Sequence, residues 1–154
     1  MKKFLLIYLL ALALHACGYV PMYANNQKVD FYIENIEFDN GDKDLANFIK
    51  TNLNNYLVVK DSKKFKIKTS IEYVKNSLSK NSAGETEEYE LSSYVIFDVE
   101  SEGKNSEIKI KETFKMNNFS DEFEELEYER VVKQTMSRSI ASKLIIRLSR
   151  LNDN

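Results

Sequence analysis

The side chains with the strongest nucleophilic and metal-binding chemistry are few and lie close together: His15 is the only histidine of the 154 residues and Cys17 the only cysteine. Their setting decides what that chemistry is for. Lys2 and Lys3 precede an apolar run, Phe4–Leu14, and the small residue Ala16 stands directly before the thiol. A basic start, an apolar middle and a small residue at the cut are the parts of a signal peptide in their usual order. As a helix, residues 4–16 reach about 20 Å, short of a hydrocarbon core of about 30 Å. Residues 1–16 are therefore expected to be a leader removed before Cys17.

Leu14-His15-Ala16-Cys17 resembles a lipobox, in which the cysteine thiol takes a diacylglycerol, the leader is cut and the new amino group is acylated. The alternative is an ordinary secreted protein cut elsewhere, which leaves an exposed lone thiol in an oxidising compartment. Acylation gives Cys17 a purpose. Two or more acyl chains hold a protein stably at a membrane, at about 0.8 kcal/mol per buried CH₂, without a transmembrane helix. Gly18 follows the cysteine where, by resemblance to lipoprotein sorting signals, an aspartate would favour the inner membrane, so the outer membrane, on its periplasmic face, is expected.

Loss of the leader takes the only histidine, and acylation takes the only thiol. Serine triads, Cys–His dyads and the usual zinc sites are then out of reach. Carboxylate, lysine, serine and tyrosine remain, with no GxxxxGK[ST] phosphate loop. Neither an enzyme nor a metal site is expected, and no cofactor beyond the N-acyl and S-diacylglycerol lipid on Cys17. The leader removes two of the 22 basic residues and none of the 24 acidic ones, leaving a net charge of −4 that argues against nucleic acid as a partner.

Residues 17–28, with the only proline at Pro21 and a polar, aperiodic Ala24–Lys28, form a tether. Residues 29–154 have the length of one domain. Val29, Phe31 and Ile33 alternate against polar partners and the phase then flips to Ile36 and Phe38, which predicts a strand with a bulge near Glu34-Asn35. Asp39-Asn40-Gly41-Asp42 is acidic enough to suggest a calcium loop, but Gly41 occupies a ligand position and the later glutamate is missing. A turn leading into a helix capped by Asp42 or Asp44 fits better. Leu45, Phe48, Ile49, Leu53, Tyr56 and Leu57 keep helical spacing over about 44–58. Then comes the clearest strand, with Phe65, Ile67, Thr69, Ile71 and Tyr73 on one face and lysines on the other.

Ser77–Glu85 reads as a loop. Tyr89, Leu91, Val95, Phe97 and Val99 face inward on the next strand, a turn follows through Ser101–Asn105, and Ile108, Ile110, Phe114 and Met116 mark a fourth. Leu126, Val132, Met136, Ile140, Leu144, Leu148 and Leu151 place a long helix from about Ser120, its possible cap, to the end, acidic at its start and basic in its later turns (Arg138, Lys143, Arg147, Arg150). That gradient matches the helix dipole, and the basic end also suits an anionic membrane or glycolipid. The expectation is an α+β two-layer sandwich, a four-stranded mixed sheet with two helices packed on one face, in the order β-α-β-β-β-α. On its outer face Lys66, Lys68, Lys109 and Lys111 flank a middle strand bearing Glu90, Asp98 and Glu100, a pattern of cross-strand ion pairs or of a ligand patch. Tyr94 and Ile96 in the centre of that face are apolar where water is expected, and mark it as a surface something covers.

Cys17-Gly18-Tyr19-Val20-Pro21-Met22-Tyr23 resembles the Cys-Gly-aromatic-x-Pro-Leu-Tyr opening of the lipopolysaccharide-assembly lipoproteins of the outer membrane, the LptE family, and Phe31–Ile36 leading into Leu45–Leu57 is similar to that family's first strand and helix. The resemblance implies a plug in the lumen of the large β-barrel LptD, with help in barrel assembly, a part in passing lipopolysaccharide to the outer leaflet, and no catalysis. It also implies a basic lipopolysaccharide contact just before the loop that leads to the third strand, a place taken by Lys80 ahead of Asn81–Thr86. The family's second basic contact, before the last helix, has no match in the acidic Asn117–Glu125. Two other classes compete. A generic outer-membrane lipoprotein that binds cell-wall material or serves an uptake or efflux complex would share the leader and the domain. A carboxylate-dependent periplasmic hydrolase would need a concave site, where a convex domain is expected.

Overall fold

Alternating apolar residues and one helical stripe build the elements in the expected order in a computed structural model that describes residues 29–58 and 62–152. They are β1 (Phe31–Asn40), α1 (Lys43–Leu53), β2 (Lys63–Lys80), β3 (Thr86–Ser101), β4 (Lys104–Asn117) and α2 (Glu122–Asn152). The leader, Cys17 and the tether lie outside the described residues.

The strands lie side by side in chain order, β1 and β2 parallel, the rest antiparallel. A parallel pair needs a crossover rather than a hairpin, and α1 supplies it. Both helices cover one face, so the fold is the expected α+β layout. Its core joins Phe31, Ile33, Phe65, Ile67, Leu91 and Phe97 of the sheet to Leu45, Ile49 and Leu53 of α1 and to Val132, Met136, Ile140, Leu144 and Leu148 of α2. Each such side chain, fully buried, stabilises the fold by about 1.5–3 kcal/mol before entropy is counted.

Several local expectations are met. The phase flip in β1 is a register slip between Ile33 and Asn35 that leaves Glu34 unpaired. Of the two candidate caps of α1, Asp42 does the work: its Oδ1 accepts from the Leu45 N–H at 2.8 Å. Beside it Gly41 has φ +110°, and a Cβ there would stand 2.0 Å from the Ile71 carbonyl oxygen, so the turn passes too close to β2 for any other residue. The β3–β4 turn narrows to Glu102-Gly103, with φ 53° and 76°, the doubly positive pair of a tight hairpin.

Four expectations change. α1 stops at Leu53 and tightens into a 3-10 turn, Asn54–Tyr56, because two successive asparagines favour local backbone bonds over helix. The Tyr56 ring stacks over Phe31 at 6.5 Å. The long helix starts at Glu122 and is capped by Asp121, whose Oδ1 accepts from the Glu124 N–H at 2.9 Å, so Ser120 is not the cap. The stretch expected as a loop, Ser77–Glu85, is mostly strand: β2 continues to Lys80 and only Asn81–Glu85 turns. A bulge at Leu78, between the pairs Ser77–Tyr89 and Ser79–Glu88, breaks the alternation that would have revealed the strand. Finally, Leu126 is 58% exposed. The inward row of α2 runs through Val132, and one and two turns toward the N-terminus that row is occupied by Glu129 and Glu125.

Candidate functional site

The outer face of the sheet carries the side chains left over when alternate residues turn to the core. Register sets Lys66 opposite Glu100 and Lys68 opposite Asp98, as the cross-strand reading requires. The ion pairs that close there run elsewhere. Glu34, freed by its bulge, lies 3.2 Å from Lys64 and 3.8 Å from Lys66, and Glu107 lies 2.7 Å from Lys109 on its own strand. Glu34 holds the Lys64 ammonium above its ordinary pKa, and Glu107 does the same for Lys109. On the β4 side Asp98 stands opposite Glu107, a like-charge pair that Lys109 offsets.

Tyr94 and Ile96 sit where expected, in the middle of this face. Tyr94 is 40% exposed, with the Lys111 ammonium 4.9 Å from its ring centroid, while Ile96 is half-buried between Ser70 and Lys109. Phe97, between them and the helices, is fully buried. The cation over Tyr94 is cover that alternation alone does not reveal; the register of β3 on β4, which sets Lys111 opposite Tyr94, is the signal for it.

Below this pair the twist of the sheet makes a concavity of about 540 Å³ lined by Glu37, Asp98, Glu100 and Glu107 with Lys66 and Lys68. The surface is thus not convex, as a small domain suggested. A sheet without a second layer on its outer side curls, and the curl supplies the hollow.

Lys80 is the last residue of β2, opposite Thr86, and is exposed. The turn beyond it is built rather than loose. The Asn81 Oδ1 accepts from the N–H groups of Ala83 and Glu85 at 3.0 and 2.9 Å, and its Nδ2 donates to Glu85 at 3.0 Å. An Asx turn of this kind fixes the neck from which the Lys80 side chain projects.

Between that tip and the core lies a polar cluster that the sequence reading left out. Lys75 donates to Glu125 and, at 3.1 Å, to Glu129; Lys133 donates to Asp42 at 2.7 Å and lies 3.4 Å from Glu129. Lys133 also stands 4.4 Å from the Tyr73 ring centroid, and Lys75 stands 4.5 Å from that of Tyr89. Burial works to raise the Glu129 carboxyl, but the hydrogen bond from Lys75 and the charges of Lys75 and Lys133 outweigh it and leave the pKa lowered. Burial likewise works to lower Lys75 and Lys133, and the facing carboxylates outweigh it, so both are raised. Burial foremost, with Glu129 second, pushes the Tyr73 phenol well above its usual range. The cluster clamps the cap of α1, the first turns of α2 and β2 together. Its signal is there in the sequence: Glu125, Glu129 and Lys133 repeat every four residues, and Lys75 has the parity of the inward Phe65–Tyr73 row.

Among the described residues no helix is long and apolar enough to cross a membrane. Solved bacterial lipoproteins share this fold. Rare lipoprotein B from Shewanella oneidensis superposes with a TM-score of 0.55 at 18% identity, over 76% of this chain and 95% of that one. The minor lipoprotein of Acinetobacter baumannii gives 0.53 at 15%, over 75% and 92%. Lipoprotein B from Nitrosomonas europaea gives 0.56 at 14%, over 82% and 90%. No family model matches the chain, and no curated protein matches it significantly. At such identities the likeness is one of fold.

Proposed function

We propose that this chain is an LptE-type lipoprotein: Cys17 anchors it to the periplasmic leaflet of the outer membrane, and its domain fills the lumen of an LptD-type β-barrel, helps that barrel assemble and assists the passage of lipopolysaccharide to the outer leaflet. Its work is done by occupying a place and not by catalysis. The observation that carries this is the length and polarity of the sheet. The 18 residues of β2, at about 3.3 Å each, extend roughly 60 Å, against an apolar band of about 25 Å on an outer-membrane barrel. A slab that long, with Lys, Glu and Asp on its uncovered face, suits a polar lumen that it can fill from one rim to the other. The opening heptapeptide and the fold held in common with solved lipoproteins support the same reading.

Photo-crosslinkers at Tyr94 and Ile96 are expected to capture the barrel in cells, and one at the buried Phe97 to capture nothing foreign. Capture of another protein at both outer positions favours a generic lipoprotein, and loss of the barrel from pull-downs as well ends the plug reading. Lys80, at the tip, is where the glycolipid contact belongs on this view. Lys80→Glu is expected to weaken lipopolysaccharide binding measured with the purified chain while moving stability by no more than about 0.5 kcal/mol, as exposed surface charges do. Unchanged binding removes Lys80 from the site.

A further inference from the structure

The two ends of the sheet differ in charge, and the tether leads off from only one of them. Phe31 pairs with Lys63 at the start of β1 and β2, and Ser101 donates to the Lys64 carbonyl at 2.8 Å, which brings the β3–β4 turn to that same end. Lys63 donates to the Leu151 carbonyl at 3.0 Å, which brings the last turns of α2 there too. Lys63, Lys104 and Leu151 border a recess of about 100 Å³, and Arg147 and Arg150 border the hollow beside it. Two exposed apolar side chains belong to segments that reach this end: Val58, 61% exposed, five residues before Lys63, and Ile146, 46% exposed, one helical turn before Arg150. Glu102 borders the recess, Glu107 borders the hollow and Asp30 precedes β1; Glu107 is already paired with Lys109 at 2.7 Å, so the four cations outnumber the remaining acids. The opposite end carries Glu85 and Glu87 at the β2–β3 turn and Asp121, Glu122 and Glu124 at the start of α2, against Lys80 and Lys115.

We propose that the basic end is a seat for an anionic phospholipid surface, with Lys63, Lys104, Arg147 and Arg150 meeting headgroup phosphates and Val58 and Ile146 entering the acyl boundary. The occupant follows from where the chain leads. Residues 17–28 connect to Val29 at this end, and even fully extended they keep it within about 40 Å of Cys17. On the lipid-anchor reading, which the proposal shares with the proposed function, no other part of the fold is held so near the leaflet. Cations with apolar neighbours are what an anionic interface binds, each cation adding to the attraction within a Debye length. An acidic far end is repelled by the same surface, so the domain stands upright with Lys80 away from the membrane. Seating describes the chain before it meets a barrel, and it presents the tip first.

The test uses the mature acylated chain, whose Cys17 leaves no free thiol, carrying Val58→Cys or Ala83→Cys labelled with a polarity-sensitive dye. It is mixed with vesicles of phosphatidylcholine alone or with phosphatidylglycerol added. The Val58 dye is expected to shift to the blue with phosphatidylglycerol, the shift fading at high salt, and the Ala83 dye at the tip to stay in water. Lys104→Glu and Arg150→Glu are each expected to lower the ratio of seated to lifted chains about fivefold or more, while Lys115→Glu near the tip leaves it unchanged. A Val58 dye that stays in water on phosphatidylglycerol, or shifts equally on both vesicles, overturns the seat. Flotation with phosphatidylcholine reads the anchor separately. If that fails, flotation with phosphatidylglycerol alone still supports the seat, and flotation with neither overturns seat and anchor together.

Discussion

Replacing Lys133 by methionine tests whether the cluster under the tip holds the two helices to the sheet. The Lys133 side chain is 12% exposed and sits between Asp42, 18% exposed, and Glu129, 14% exposed. Orphaning a fully buried charge costs about 3–5 kcal/mol, and breaking an exposed pair about 0–1. Here each abandoned carboxylate keeps another partner: Asp42 still caps Leu45, and Glu129 still meets Lys75. Loss of the cation over Tyr73 adds about 0.5–1 kcal/mol. The expected cost is therefore about 2 kcal/mol, or a fall in Tm of roughly 6–10 °C for a domain of this size. Urea unfolding followed by circular dichroism reads it. Asp42→Asn keeps a good cap but removes the charge. A double-mutant cycle between the two substitutions is expected to return about 1 kcal/mol of coupling. A cost below about 0.5 kcal/mol together with no coupling would refute the reasoning, because it would place the pair with ordinary surface ions.

The same groups set a pH window. Glu129 is depressed, so its contribution is full above the ordinary carboxylate value of 4.5 and is lost as pH falls through its lower folded value. Lys75 and Lys133 are raised, so theirs are full below 10.5 and are lost as pH rises through their folded values. Urea midpoints are expected to be level between these limits, with Glu129→Gln flattening the acid limb; an unaltered acid limb in that variant contradicts the assignment. Gly41→Ala is expected to cost about 3 kcal/mol or more, from positive φ and the clash with Ile71, whereas Gly84→Ala, with open space around it, loses only about 1 kcal/mol from its backbone angle. Equal losses in thermal unfolding would count against the close crossing at Ile71. Thr69 is fully buried and its hydroxyl finds no hydrogen-bond partner among the described residues, so Thr69→Val is expected to stabilise by about 1 kcal/mol, and a destabilised variant would point to a partner for that hydroxyl.

Period and phase made most of the fold legible. The bulge at Glu34, the cap at Asp42 and the inward rows of three strands follow from apolar residues at spacings of two, three and four, because those spacings are the geometry of burial itself. Where polar residues do the burying, the signal weakens. Leu126 was expected inside because it is apolar, yet Glu125 and Glu129 hold the inward positions, since Lys75 across the gap makes carboxylates the better fillers. The strand beyond Ser77 was hidden for a different reason: a bulge shifts the side-chain phase within a stretch that is serine-rich anyway. Of the outer face, the placement of Tyr94 and Ile96 was readable from parity. The hollow below them was not, because curvature belongs to the whole sheet and to no local run of residues.

Pairing between β1 and β2 ends at Asn40 and Ser70, and among the described residues no strand flanks β2 from Ile71 to Lys80. Alternate residues of this stretch thus turn N–H and C=O groups to an edge without a strand, the feature through which sheets recruit further strands. On the anchoring proposed above, which would confine the chain to a membrane plane, this matters more than in solution, because neighbouring copies would share an orientation and meet edge to edge. The bulge at Leu78 interrupts the regular spacing a joining strand would need, and Lys75, tied to Glu125 and Glu129 on the helix-covered face, puts an inward-pointing charge into the same stretch. Straightening β2 by deleting Leu78 would remove the first of these guards, and its expected price is self-association at high surface density with the sheet itself otherwise intact.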